Sequence, residues 1–227
     1  MMSCAKPEAG RSGAKLTLRG RGFPVVISAP SGAGKTSICR GVRAAVARAS
    51  YSVSVTTRAM RPGEVDGRDY HFVNRAEFEK RIGEGRFVEW AEVHGNLYGT
   101  DRRVVRAGME KGEIVLLDID VQGGAQLKAK ISETVSIFVL PPSWAALEER
   151  LRGRGDESDE AVRLRLRNAR KEAARLCDYD YIVVNDDLDR ATREVANIVR
   201  SEGCRESRLE IDGLDLAALP ADSDSGD

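Results

Sequence analysis

The 227-residue chain balances 36 basic against 36 acidic side chains, so its formal net charge is +0, and 32% of its residues are charged. That length buries a real core in one domain with insertions or a compact two-part fold, and the balanced charge argues against a general nucleic-acid binder. No apolar stretch approaches the length of a membrane span, and the scattered Cys4, Cys39, Cys177 and Cys204 suit free thiols in a reducing compartment better than a disulfide framework or zinc site.

Residues 1–22 are rich in Gly, Ser, Ala, Lys and Arg, with Glu8 the only acid, and carry too little apolar surface to fold. They read as a flexible extension. A transit peptide shares this composition, but a plain cytoplasmic protein is the favoured reading. Then comes the apolar run Pro24-Val25-Val26-Ile27, followed by Ala29-Pro30-Ser31-Gly32-Ala33-Gly34-Lys35-Thr36 and a helical pattern from Ser37 to Ala49. Strand, small-residue loop and helix in that order are what a phosphate-binding P-loop needs. Backbone N–H groups form an anion nest, and the helix N-terminus adds its unpaired donors. Ser31, Gly32, Ala33, Gly34, Lys35, Thr36 and Ser37 are therefore candidate ATP-phosphate residues. Lys35 would reach the outer phosphates, and the Thr36 hydroxyl would ligate the accompanying Mg2+. Ala29 stands where the pattern has glycine, a mild change if no positive φ is needed there.

Ser52 to Thr57 alternates polar and apolar residues as a strand, and Pro62-Gly63 marks a turn. Tyr70 to Val73 and Phe87 to Trp90 are further short strand candidates. Between them Asn74, with Glu77 three residues on, opens a helix through Ile82. A helix near Arg102 to Lys111 is closed by Gly112. Residues 54–112 thus read as a small α+β insertion. Continuous apolar runs then return at Ile114 to Leu117, Val135 to Leu140 and Tyr181 to Val184, as in strands covered on both faces. Between the last two lie a helix capped by Ser143 and a second helix whose stripe is Val162, Leu166, Ala169, Ala173 and Leu176. The last helix, Leu188 to Glu202, turns Ala191, Val195 and Ile198 inward. Beyond Arg208 the chain is acidic and reads as a frayed tail. The fold class is α/β: a doubly wound, mostly parallel sheet with a P-loop, the α+β insertion and a helical lid.

Three constellations carry chemistry. Asp118 ends the apolar strand Ile114 to Leu117, where an acid orders the magnesium shell directly or through water, and Asp120 could share the task. A strand-ending turn is the plainer role for either. Arg58 and Arg61 stand beside the Pro-Gly turn, with Tyr70 and Tyr98 in the same insertion; two guanidinium forks and phenol hydroxyls suit a second phosphate. Arg150, Arg154 and Arg165 lie around Gly153 and Gly155, a spacing that suits a hinged lid, though a salt-bridged helix face with Glu148, Glu149 and Glu172 accounts for most of them.

Taken together, Ser28 to Thr36, Thr56-Thr57-Arg58 with Arg61-Pro62-Gly63-Glu64, Gly95 to Thr100, Leu117 to Gly123 and Val184-Asn185-Asp186-Asp187 resemble the guanylate kinase family in order and spacing. The likeness runs from about Phe23 to Glu202, with Ala29 and Met60 as mild departures. It implies Mg2+-dependent transfer of the γ-phosphoryl of ATP to GMP, giving ADP and GDP. Ser54, Arg58, Arg61, Tyr70, Glu89, Tyr98 and Thr100 match the family's GMP-binding residues, so the insertion becomes the GMP-binding part. Arg61, Arg154 and Arg165 match the arginines on the transferred phosphoryl and, with Lys35, are the expected catalytic set. Asn185 and Asp186 match adenine-side contacts; Thr36 and Asp118 stay the metal candidates read from the loop and the strand end.

The implied organisation is a flexible extension (1–22), core with P-loop (23–53), GMP-binding insertion (54–112), core (113–142), lid (143–168), core (169–204) and flexible acidic tail (205–227). Glu89 explains the base choice. Its carboxylate accepts from guanine N1–H and the exocyclic amine together, and adenine offers neither donor on that edge. Thr100 could help read the base or cap the following helix. A non-catalytic phosphopeptide-binding relative is disfavoured by the intact Lys35, Thr36, Asp118, Arg154 and Arg165. A kinase for another nucleoside monophosphate stumbles on Glu89. The expected partners are ATP and GMP, with no nucleic acid or membrane, in a monomer or homodimer.

Overall fold

A computed structural model describes residues 16–93, 95–153 and 158–212. Its central sheet is built from β2 (Phe23–Ser28), β3 (Ala49–Tyr51), β8 (Ile114–Asp118), β9 (Val135–Leu140) and β10 (Tyr181–Val184), in the order β10-β9-β2-β8-β3 with every pair parallel. Alternation along β2 divides the core in two. Val25 and Ile27 pack on α1 (Lys35–Ala45) and α7 (Leu188–Glu202) through Ile38, Val42, Val195 and Val199. Val26 faces the other way, against Val105 of α3 (Arg102–Glu110) and Leu127 of α4 (Val121–Lys130). Side chains of period two therefore feed two helical layers along the inner strands β2, β8 and β9, the reason these are mostly apolar. The expectation that Tyr181 to Val184 is covered on both faces is corrected: β10 is an edge strand of the sheet, and Ile182 and Val184 are exposed.

The second sheet joins β4 (Val55–Thr56), β5 (His71–Phe72), β6 (Phe87–Val93) and β7 (Asn96–Asp101) in the order β5-β4-β7-β6. It has its own small core of Val55, Phe78, Phe87 and Leu97, in which the rings of Phe78 and Phe87 stack at 4.5 Å. Phe78 comes from α2 (Arg75–Gly83), and Asn74 caps that helix by accepting the Glu77 N–H, as its sequence anticipates. A third cluster, Leu147, Leu151, Val162 and Ala169, joins α5 (Trp144–Arg152) to α6 (Asp159–Ala173). Ser143 caps α5 through the Ala146 N–H.

Several expectations are corrected. The helix after the P-loop ends at Ala45, and Ala49–Tyr51 becomes an edge strand, because the buried strand β8 needs a partner for its open side. The strand expected over Ser52 to Thr57 shrinks to Val55–Thr56, and Asn96–Asp101 forms a strand that alternation did not reveal. Leu176 lies beyond α6 in a 3-10 turn, and in α7 Ala191 and Val195 are buried as expected, while Ile198 packs against the core only partly buried and Val199 joins the buried stripe. The extension and the tail are not wholly unstructured. β1 (Thr17–Gly20) pairs antiparallel with β11 (Leu209–Asp212), with Arg19 on Asp212 and Arg21 on Glu210. Read singly, neither segment has the apolar surface to fold; their backbones and opposite charges complement each other only when the ends meet. Residues 1–15, Cys4 included, and 213–227 lie outside the described residues.

Candidate active site

The register Ile27↔Asp118 sets the end of β8 beside the end of β2, so the acid arrives where the loop begins. The loop turns through Gly32 and Gly34, both with φ near +95° (95 and 93). Gly34 is also the N-cap of α1, and a Cβ there would come within 2.3 Å of the Asn185 amide nitrogen. That amide donates to the Ala33 carbonyl at 2.7 Å, fixing the back of the loop. Arg150 in turn donates to the Asn185 carbonyl at 3.0 Å. Ala29 is buried in the main core, with 9% exposure.

Asp118 is shared. Its Oδ1 lies 2.8 Å from Lys35 Nζ, and its Oδ2 accepts from the Thr36 hydroxyl at 2.9 Å. Lys35 also donates to the Ile119 carbonyl. Burial works to lower the lysine pKa, but the charge and hydrogen bond of Asp118 outweigh it and hold the ammonium well above its ordinary value. Asp120 has a different occupation: it caps α4, accepting the Gly123 N–H at 2.9 Å.

Across from the loop, Glu89 is 3% exposed and accepts from the Thr100 hydroxyl at 2.5 Å. Burial pushes its carboxyl up to about 7, against the lowering effect of the Thr100 hydrogen bond. Gly123 makes room for it, since a Cβ there would sit 2.4 Å from Glu89 Oε2. Helix capping by Thr100 is overturned: Asp101 caps α3, accepting the Arg103 N–H, and leaves Thr100 to the acid.

Arg58 pairs with Glu64 at 2.7 Å and lies 5.3 Å over the Tyr70 ring. Hydrogen bonding to Glu64 holds this guanidinium above its usual pKa. The Arg61 N–H donates to the other Glu64 oxygen at 2.8 Å, so one acid braces both arginines' positions. Tyr70 and Tyr98 meet edge to face, with centroids 5.9 Å apart.

A single cavity of about 330 Å³ joins these groups. Ser31, Gly32, Gly34, Lys35, Thr36 and Ser37 line one side with Asp118 and Arg165; Ser54, Arg61, Tyr70, Glu89 and Tyr98 line the other. Ala33, Arg58, Thr100, Asn185 and Asp186 are not on its wall. Asn185 is committed to the loop's rear, and Asp186 is paired with Arg190. Arg154 lies outside the described residues. Two acids escaped the sequence reading in their actual roles. Glu64 braces the arginines, and Glu172 of α6 lines the cavity, where burial pushes its carboxyl up to about 7 despite the opposing charge of Lys35. Glu64 was legible only as part of a turn motif, and Glu172 only as one charge on an arginine-rich helix.

A parallel sheet with a P-loop at the end of a central strand, facing a basic, tyrosine-lined wall across one cavity, defines a P-loop phosphotransferase. The guanylate kinase family model matches residues 21–202. A guanylate kinase of Syntrophotalea carbinolica is 50% identical over 192 residues, covering 85% of this chain and 91% of that protein. That of Thermotoga maritima is 49% identical over 188 residues, covering 83% and 91%. The crystal structure of guanylate kinase from Anaplasma phagocytophilum matches with a TM-score of 0.72 at 36% identity, over 85% of this chain and 92% of that one. The chain belongs to the guanylate kinase family, enzymes that transfer the γ-phosphoryl of ATP to GMP.

Proposed function

We propose that this chain phosphorylates GMP from ATP with the residues gathered around the one cavity. The observation that carries the assignment is that the P-loop and Glu89 line the same cavity. Ser31 to Ser37 cradle the donor phosphates by backbone N–H groups, and Lys35 exchanges Asp118 for the outer phosphates. Arg58, Arg61, Tyr70 and Tyr98 grip the GMP phosphate, while Glu89, Ser54 and Thr100 read guanine. Both Arg58 and Lys35 already have carboxylate partners, so each is held in place before the nucleotides arrive.

The acceptor is an ionised phosphate oxygen, so no general base is required. Rate acceleration comes from aligning two nucleotides and from charge on the migrating phosphoryl, supplied by Lys35, Arg61, Arg165 and Arg154. Residues 54–112 act as the acceptor-binding part and 143–168 as the lid. Asn185 and Asp186 remain the adenine-side candidates, with Asn185 acting by its hold on the loop. The Thr36 hydroxyl and Asp118 carboxylate, 2.9 Å apart, are the hard oxygen donors that Mg2+ prefers. When bound with ATP, the ion neutralises phosphate charge.

Free thiols at Cys39, Cys177 and Cys204 support a reducing, cytoplasmic setting. No helix among the described residues is long and apolar enough to cross a membrane. An ADP-release assay with ATP and each of GMP, AMP, CMP and UMP tests the function. GMP-dependent release is expected; its absence, or a preference for AMP, overturns the reading.

A further inference from the structure

One acid on the cavity wall has no task in that scheme. Glu172 lies in the last turn of α6, seven residues beyond Arg165 and so about two helical turns along the same face. Both residues line the nucleotide cavity. The Glu172 Oε2 is buried and meets no hydrogen-bond donor among the described residues. Buried acceptors of this kind are uncommon because the lost hydration goes unreplaced, and each one invites a missing donor.

The surroundings say what that donor would be. Lys35 and Asp120 line the same cavity, the charge of Lys35 acting in favour of an ionised Glu172 and that of Asp120 against it. This is the donor-phosphate end of the cavity. A triphosphate there would bring its oxygens against Asp118, Asp120 and Glu172, and such crowding is tolerable only with a cation between them. Mg2+ on nucleotides keeps most of its waters and takes only one or two carboxylates, so its waters supply donors to nearby acids.

We propose that Glu172 is a positioning residue for the Mg2+ that travels with ATP, its Oε2 accepting a hydrogen bond from a metal-bound water. The inference rests on the ATP reading of the cavity. Because α6 carries Arg165 as well, the helix brings the phosphoryl-binding charge and the anchor for the metal's water together.

The test follows Mg2+ dependence of binding instead of turnover. Binding of a fluorescent ATP analogue to the full chain is titrated with Mg2+ for the parent, Glu172→Gln and Glu172→Asp. Outer hydrogen-bond partners of metal sites are worth about 10–100-fold in metal affinity. The Gln variant should therefore need about 10-fold more Mg2+ at the midpoint. Its GMP binding should match the parent's, its metal-free analogue binding should be no weaker than the parent's because a repelling carboxylate is gone, and the Asp variant should recover part of the shift. An unchanged midpoint in Glu172→Gln, with the parent binding normally, overturns this inference alone. Weakened GMP binding at an unchanged midpoint also overturns it, moving Glu172 to the acceptor side. A parent that binds no analogue at any Mg2+ concentration overturns the ATP reading and this inference with it.

Discussion

The two walls of the cavity are built on opposite principles. The donor wall is mostly backbone: a loop of small residues with two left-handed glycines, pinned from behind by Asn185 and set into the central core. The acceptor wall is mostly side chain: Glu89 and Tyr98 project from a four-stranded sheet with a separate small core, and Arg61 and Tyr70 from the loop that joins β4 to β5. A phosphate can be held by N–H groups of any sequence, so the donor wall needs small residues more than particular ones. A guanine must be told from an adenine by donors and acceptors in place, so the acceptor wall needs particular side chains. Function should therefore break differently on the two sides.

The largest effect is expected on the donor wall, where one charge does most of the work. Lys35→Ala should lower kcat by roughly 10²–10³-fold, the usual cost of removing one stabiliser of transition-state charge. Its circular dichroism spectrum should stay native, because Asp118 keeps its hydrogen bond to Thr36. Normal turnover in that variant would sink the mechanism. On the acceptor wall, Glu89→Gln should spare ATP binding but raise the KM for GMP by roughly 10²-fold, since a buried amide now meets guanine's two donors. Steady-state kinetics with ATP and GMP varied separately would separate the two walls.

Titration of Glu89 sharpens the same contrast. Its folded pKa of about 7 lies above the unfolded value, so its contribution to stability is present below the unfolded pKa and lost as pH rises through about 7. GMP, by contrast, takes the ionised form. Its affinity should rise about tenfold between pH 6 and 8, relative to the same measurement on Glu89→Gln. Calorimetric GMP titrations at several pH values would read this, and identical pH profiles in parent and variant would count against it. The smallest effect concerns the acceptor sheet as a folded unit. Removing the cap of α2 with Asn74→Ala should cost about 1 kcal/mol of stability, read by thermal melting, and leave ATP binding untouched.

Legibility followed the range of the interactions involved. The P-loop, the capped helices at Asn74 and Ser143, and the apolar strands Ile114–Asp118, Val135–Leu140 and Tyr181–Val184 were plain in the sequence because each depends on neighbours a few residues away. Edge strand Ala49–Tyr51 was not: its residues have no strong alternation, and only the open side of β8 recruits them. The ribbon of Thr17–Gly20 with Leu209–Asp212 was missed for the same reason, since each half looks unfoldable until it finds the other.

The sequence by itself determined that the chain builds a P-loop on a parallel sheet, and motif by motif it pointed to the guanylate kinase family. Tertiary structure alone decided how the site residues are used. It put Glu89 under Thr100 and against Gly123, Glu64 between Arg58 and Arg61, the Asn185 amide behind Ala33, and Glu172 at the cavity wall with no donor to its Oε2 among the described residues. Whether a polar group is buried, and what meets it there, depends on segments far apart in the chain, which local patterns do not encode.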